Sequence, residues 1–127
     1  MKAEIELRHS FERDLQGLSS ETRRMVCAAI ERLPLLFQQD RAGTYARHLK
    51  RLRAIRVAGE YDLSLYSFKV AHDLRVLLTL DEDPLFDKLH ITLYAVADAS
   101  AAVDDYLRVA DMLKRELEEE LMRDPQG

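Results

Sequence analysis

Four side chains of this 127-residue chain are suited to work on a phosphodiester: Lys69, His72, Arg75 and Tyr106. A cation stabilises the negative charge that develops on phosphorus, and a histidine, lysine or tyrosine in hydrogen-bond reach shuttles protons. Arg75 is the most informative, because it is the lone arginine of an otherwise apolar run, His72-Asp73-Leu74-Arg75-Val76-Leu77-Leu78. A structural reading competes: Arg75 pairs with Asp73 or Asp62, Lys69 is solvated, and Tyr106 belongs to a helical seam. None of these spacings is diagnostic by itself, so both readings stand at this point.

A second group of cations precedes them. Between Arg41 and Ala58 there are six basic residues plus His48 and no acidic one. Arg47, Lys50, Arg51 and Arg53 are therefore candidate nucleic-acid contacts, since a local positive surface attracts phosphate or an acidic protein segment. The alternative is a solvated face paired with the chain's own acidic C-terminal part. Other chemistries find no support. The four histidines are scattered, with no cysteine pair and no helix-spaced His–Glu set, so no metal or other cofactor is expected. The glycines are isolated, which argues against a phosphate-cradling loop, and there is no Gly-x-Ser-x-Gly elbow. The single cysteine, Cys27, falls on the apolar face of a helix and is expected in the core.

These side chains need elements to position them. Residues 3–7 alternate apolar and charged, as a half-buried strand does. A short helix follows over 11–15, with Ser10 as its N-cap. Ser19 or Ser20 caps a second helix, with Thr22, Met25/Val26, Ala29/Ile30 and Leu33 on its buried face. Pro34 should kink or restart it. Residues 40–60 read as a basic helical or irregular segment anchored by Tyr45, Leu49 and Leu52. Three strands follow, around 63–70, 74–80 and 89–96, on short connections that make a meander. In the first, the apolar phase slips between Leu65 and Tyr66, which a β-bulge would restore. In the third, Leu89, Ile91, Leu93 and Ala95 share one face, opposite His90, Thr92, Tyr94 and Val96. An acidic loop with Pro84 spans Asp81 to Lys88. A last helix, about 101–122, carries a seam of Val103, Tyr106, Ala110, Leu113 and Leu117. Its second half, 108–123, reads as an extension that projects and pairs with a second copy of the chain.

The size fits one domain over residues 1–127. With 47% hydrophobic and 33% charged residues, the composition is that of a globular protein. One cysteine permits no internal disulfide, which points to a reducing cytoplasm. No apolar run reaches the roughly 20 residues that span a bilayer, and the start of the chain reads as a strand without a secretory leader. The net charge of −4 is uneven, since residues 1–75 carry an excess of base and residues 76–127 an excess of acid.

The order strand, two helices, three-strand meander, helix resembles the RelE/ParE toxin superfamily of bacterial toxin–antitoxin modules. The resemblance rests on Tyr45-Ala46-Arg47-His48-Leu49-Lys50-Arg51-Leu52, Leu63-Ser64-Leu65-Tyr66-Ser67-Phe68, Asp73-Leu74-Arg75-Val76-Leu77-Leu78 and Leu89-His90-Ile91-Thr92-Leu93-Tyr94-Ala95-Val96, and it covers about residues 3–107. It implies an α+β fold of β-α-α-β-β-β order with an extra C-terminal helix, and the role of a toxin-like component whose partner is a cognate antitoxin. Ribosome-dependent members cut mRNA with basic residues on the sheet and an aromatic or histidine near the C-terminus. Arg75 matches the middle-strand arginine and Tyr106 roughly the late tyrosine, while Lys69 lies near the strand-two basic position, where Ser64 and Tyr66 stand. Residues 97–102, after the last strand, hold no base where the family has His, Lys or Arg, so the active site is expected to be degenerate. Two alternatives stay open: a non-catalytic dimeric binding module on the same scaffold, and a ParE-like gyrase inhibitor.

Overall fold

The structure, a computed structural model, describes residues 2–57, 61–99 and 102–123. Its elements run β1 (Lys2–Leu7), α1 (His9–Gln16), α2 (Ser20–Gln39), α3 (Arg41–Arg47), β2 (Leu49–Val57), β3 (Tyr61–Ala71), β4 (Leu74–Asp83), β5 (Lys88–Asp98) and α4 (Ala102–Arg123). The strands form one mixed five-stranded sheet of order β1-β5-β4-β3-β2, antiparallel except for β1, which lies parallel to β5. The chain is thus α+β, with four helices among the described residues and four consecutive strands where the sequence predicts three.

The additional strand is β2, in the segment read as helical or irregular. Its apolar residues Leu49, Leu52 and Ile55 step by three, which imitates a helix. The cause is a register shift between Arg51 and Arg53, where β2 carries one extra residue, Leu52, against β3. The bulge turns Leu52 toward the α4 side, while Leu49 faces the α2 side. Basic residues along this edge strand also hinder pairing with foreign strands.

Helices cover both faces of the sheet. On one face Phe11 of α1 and Val26, Ile30, Leu33 and Phe37 of α2 pack on Leu49, Phe68, Val76, Leu78, Leu89, Ile91 and Leu93. On the other, Val109, Ala110 and Leu113 of α4 pack on Leu65, Leu77, Tyr94, Ala95 and Ala97. This explains the phase slip at Leu65-Tyr66 without a bulge at that point: Leu65 belongs to the α4 face, and Tyr66, Phe68 and Val70 belong to the opposite one, while the irregularity in β3 falls later, between Lys69 and Ala71. A bulge does occur in β5, where Leu77 pairs with Ala95 but Leu78 with Leu93. The extra residue, Tyr94, puts Ala95 on the α4 face and Val96 on the other, the reverse of simple alternation. Ala110 and Leu113, two residues of the expected dimer seam, are buried against the chain's own sheet.

Other expectations change for local reasons. Helix α2 continues through Pro34 to Gln39, because buried Leu33 and Phe37 anchor the turn on either side of the proline. Cys27 is exposed, being one residue round the helix from buried Val26. The acidic residues 81–83 are not a loop but the end of β4, opposite His90, Leu89 and Lys88. The true turn is 84–87, held by the Asp83 carboxylate, which accepts from the Leu85 and Phe86 amides.

Ser10 is not a cap but a strut. Beyond Leu7 the edge of β5 has no strand partner among the described residues, and α1 supplies the missing bonds: Ser10 Oγ donates to the Tyr94 carbonyl at 2.6 Å, and Asp14 accepts from the Val96 amide at 3.0 Å.

Candidate nucleic-acid interface

The β3–β4 hairpin brings Lys69 and Arg75 together. They stand directly opposite each other in the antiparallel register, at the end of the ribbon closed by His72 and Asp73. Arg75 Nη1 donates to the carbonyls of Ala71 (2.7 Å), Leu74 (3.1 Å) and His72 (3.3 Å), so the guanidinium clamps the turn. These acceptors are neutral. Among the described residues no carboxylate lies in ion-pair range of Arg75, which argues against a pairing with Asp73; the Asp62 side chain lies outside the described residues.

Lys50 joins the pair from β2. It is opposite Ser67, which precedes Lys69 by two residues, so Lys50 and Lys69 share a face as diagonal neighbours, with about 7–8 Å between them. This is the face that carries Leu65 and Leu77, beside α4. Lys50 and Lys69 are exposed and Arg75 is half-buried. Like charges directly opposite in a sheet are destabilising, so the ribbon carries a repulsion that nothing in its packing requires.

The remaining candidates separate. His72 is exposed in the turn and contributes its carbonyl to Arg75. Arg51 is exposed opposite Tyr66, on the other face of the sheet from Lys50. Arg47 pairs with Asp40 at 3.0 Å. The Gly43 amide and then the Arg47 guanidinium hold the Asp40 carboxyl below its usual range. The side chains of Arg53 and Tyr106 lie outside the described residues. The basic segment is therefore not one surface: its cations are split between helix α3 and the two faces of β2.

Arg41, at its start, serves the fold. Its Nε and Nη2 each reach Glu82 at 2.6 Å, a bidentate pair. Tyr45 Oη donates to the same carboxylate at 3.2 Å, and its ring meets Phe37 edge-on. The Arg41 hydrogen bonds hold Glu82 below the usual carboxylate range. Burial, then the Glu82 charge, pushes Tyr45 up to about 12. This cluster fastens α3 to β4, and sequence reasoning missed it because its partners are 37 and 41 residues apart. The grouping of Lys50 with Lys69 and Arg75 was also hidden, because it requires residues 49–57 to be read as a strand.

Among the described residues no group of three His, Cys, Asp or Glu side chains could hold a metal ion. No helix among them is long and apolar enough to cross a membrane. No family model, curated protein or solved structure matches the chain.

Proposed function

We propose that this chain is a toxin-like component of a type II toxin–antitoxin system, similar to the RelE/ParE superfamily, that engages RNA phosphates through Lys50, Lys69 and Arg75. The observation that carries the reading is Arg75 itself, oriented by three backbone carbonyls and uncancelled by any described carboxylate, with a second cation directly opposite. Neutral acceptors fix a guanidinium's direction and leave its charge available to a phosphate. Arg75 would stabilise the phosphate, and Lys69, His72 and Tyr106 are the candidates for assisting proton transfer in a ribosome-dependent mRNA cut. The cognate antitoxin is a segment with carboxylates that cover the same three cations.

The exposed setting of Lys69 and His72 favours a second reading, in which the same cations bind without cleaving. A phosphate-binding face needs charge and register, whereas proton transfer needs a group held in place.

The test is induced expression in a bacterial host, with soluble protein confirmed. Growth arrest with loss of intact mRNA, relieved by Lys69→Glu and by Arg75→Ala, is the expected result. Arrest with intact mRNA and a blocked gyrase supports the ParE-like alternative. RNA binding by the purified chain without arrest supports the non-cleaving module. Healthy growth and no RNA binding sink the proposal.

A further inference from the structure

The two edges of the sheet are built differently. β2 carries a bulge and exposed cations, two devices that discourage pairing with another strand. β1 forms the other edge, with no strand beyond it among the described residues, and its six-residue register against β5 is unbroken. The amides of Lys2 and Arg8 donate to the Asp87 and Leu93 carbonyls. Backbone polar groups alternate sides along a strand, so the N–H and C=O groups of Ala3, Ile5 and Leu7 point away from β5. Their side chains lie on the α1–α2 side of the sheet, where Ile5 is 41% and Leu7 44% exposed. A regular open edge lined by apolar side chains is a template for a further strand.

Charge on the other side of β1 decides which strand fits. Lys2, Glu4 and Glu6 stand there, beside Lys88, His90 and Thr92 of β5. Lys2 and Glu6 are exposed, and neither has an ion pair among the described residues. Glu4 differs: its carboxylate lies 3.5 Å from Lys88 Nζ and 3.4 Å from His90 Nδ1, so its own chain offsets its charge. Three antiparallel registers between two copies of β1 set outward-facing residues opposite one another over most of the strand. With Ile5 opposite Ile5, Glu4 meets Glu6 twice, a repulsion at both ends. With Ile5 opposite Leu7, the two Glu6 side chains meet without a cation, and Glu4 faces an Arg8 already held by Glu116. With Ala3 opposite Ile5, Lys2 meets Glu6 twice, and the carboxylates that meet at the centre are the two Glu4, each with its own Lys88.

We infer that β1 pairs antiparallel with β1 of a second copy of this chain, Ala3 opposite Ile5 and Lys2 opposite Glu6, about a twofold axis at Glu4. The outward N–H and C=O groups of Ala3 and Ile5 then find partners, and the two sheets become one. On the α1–α2 side the two Ile5 side chains become diagonal neighbours, which removes part of the exposed apolar surface from water. Each contact occurs twice because the same patch serves both copies. The inference is independent of the RNA-binding proposal, whose cations lie on β2, β3 and β4.

The full chain is followed by sedimentation equilibrium and amide hydrogen exchange from about 10 μM to about 1 mM, the range suited to a small interface. A monomer–dimer equilibrium is expected, with the Ala3 and Ile5 amides gaining at least tenfold protection as the dimer forms. The Glu4 and Glu6 amides, which face β5 in either state, should change less. Lys2→Glu and Glu6→Lys each turn two attractive pairs into repulsive ones and should weaken the dimer about tenfold. The double variant exchanges the charges and should return to within about threefold of the wild-type affinity, which a merely misfolded variant does not do. Four results overturn the inference. They are a monomer at every concentration, which leaves the edge to a strand of another protein; a dimer with unprotected Ala3 and Ile5 amides; a dimer indifferent to both single substitutions; and a double variant no tighter than the singles.

Discussion

Replacing Lys69 with glutamate should make the protein more stable and less able to bind RNA. Lys69 faces Arg75 directly across the β3–β4 pair. Directly opposed like charges cost, and opposite charges contribute, roughly 0.2–1 kcal/mol each. Reversing the sign at an exposed position, with solvent screening, therefore yields about 0.5–1 kcal/mol. An unfolding entropy of roughly 2.1 cal/mol/K per residue gives about 0.27 kcal/mol/K for the chain, so the melting midpoint should rise by about 2–4 °C. Lys and Glu are both poor strand formers, so propensity does not confuse the comparison. Lys69→Gln should gain about half as much, and at 1 M salt, where the screening length is about 3 Å, the three proteins should converge. If three cations meet three phosphates of single-stranded RNA, log K falls with log salt at a slope of about −2, at about −0.7 per contact. Lys69→Glu should flatten that slope by about 0.7 and weaken binding at least tenfold at low salt. Calorimetry and fluorescence titration across salt concentrations measure both. A variant less stable than Lys69→Gln would refute the facing of Lys69 and Arg75. One that is stabilised yet binds RNA as the wild type does would refute the site.

Further outcomes follow from the same structure. Glu82 has its carboxyl held low in the folded state by Arg41. The unfolded chain therefore takes up the proton first, and this stability is present above the ordinary carboxylate range and lost as pH falls through it. Glu82→Gln should show a shallower acid limb in urea midpoints measured from pH 6 down to pH 3. Tyr45 behaves in the opposite sense: with its hydroxyl pushed up to about 12 in the fold, its contribution is intact below pH 10 and fades between pH 10 and 12. Tyr45→Phe should lose that alkaline component, read as the difference between the two proteins' stabilities over this range. Leu113 is buried to 1% on the α4 face, so Leu113→Ala should cost about 2–5 kcal/mol by denaturant unfolding. A cost under about 0.5 kcal/mol would mean that α4 does not pack there.

What was readable in the chain depended on whether one periodicity ruled a segment. Residues 3–7 form β1 as their alternation predicts, although Ile5 and Leu7 stay exposed rather than half-burying the strand, and the buried set Val26, Ala29, Ile30 and Leu33 has helical spacing and forms α2. In β4, Leu74, Val76, Leu78 and Leu80 share one face as alternation predicts. Alternation failed at the bulges, because one inserted residue flips every side chain beyond it. Leu52 made a strand look helical, and Tyr94 exchanged the faces of Ala95 and Val96. A sheet covered on both sides adds a further ambiguity, since Leu65 and Tyr66 are both inward and leave no polar beat to count. Of the candidate site, the adjacency of Lys69 and Arg75 follows from one hairpin register and was accessible. Lys50 lay beyond reach, because placing it requires the edge strand that its own bulge disguises.

The arginines of the basic half show why register matters more than charge counting. Arg41 ends on Glu82 and Arg47 on Asp40, two carboxylates that neutralise them where they stand. Arg75 is held no less firmly, but by carbonyls. A carboxylate contributes both direction and an opposing charge, whereas a carbonyl contributes direction alone. A cation fixed by carbonyls keeps most of its field, and a second cation placed opposite can only add to it. Such an arrangement lowers the stability of the free protein and is relieved when an anion arrives. On the proposed function, the binding energy of a phosphate at this turn would include the repulsion between Lys69 and Arg75 that it removes. That is why the substitution that relieves the repulsion permanently is expected to stabilise the fold and weaken the binding together.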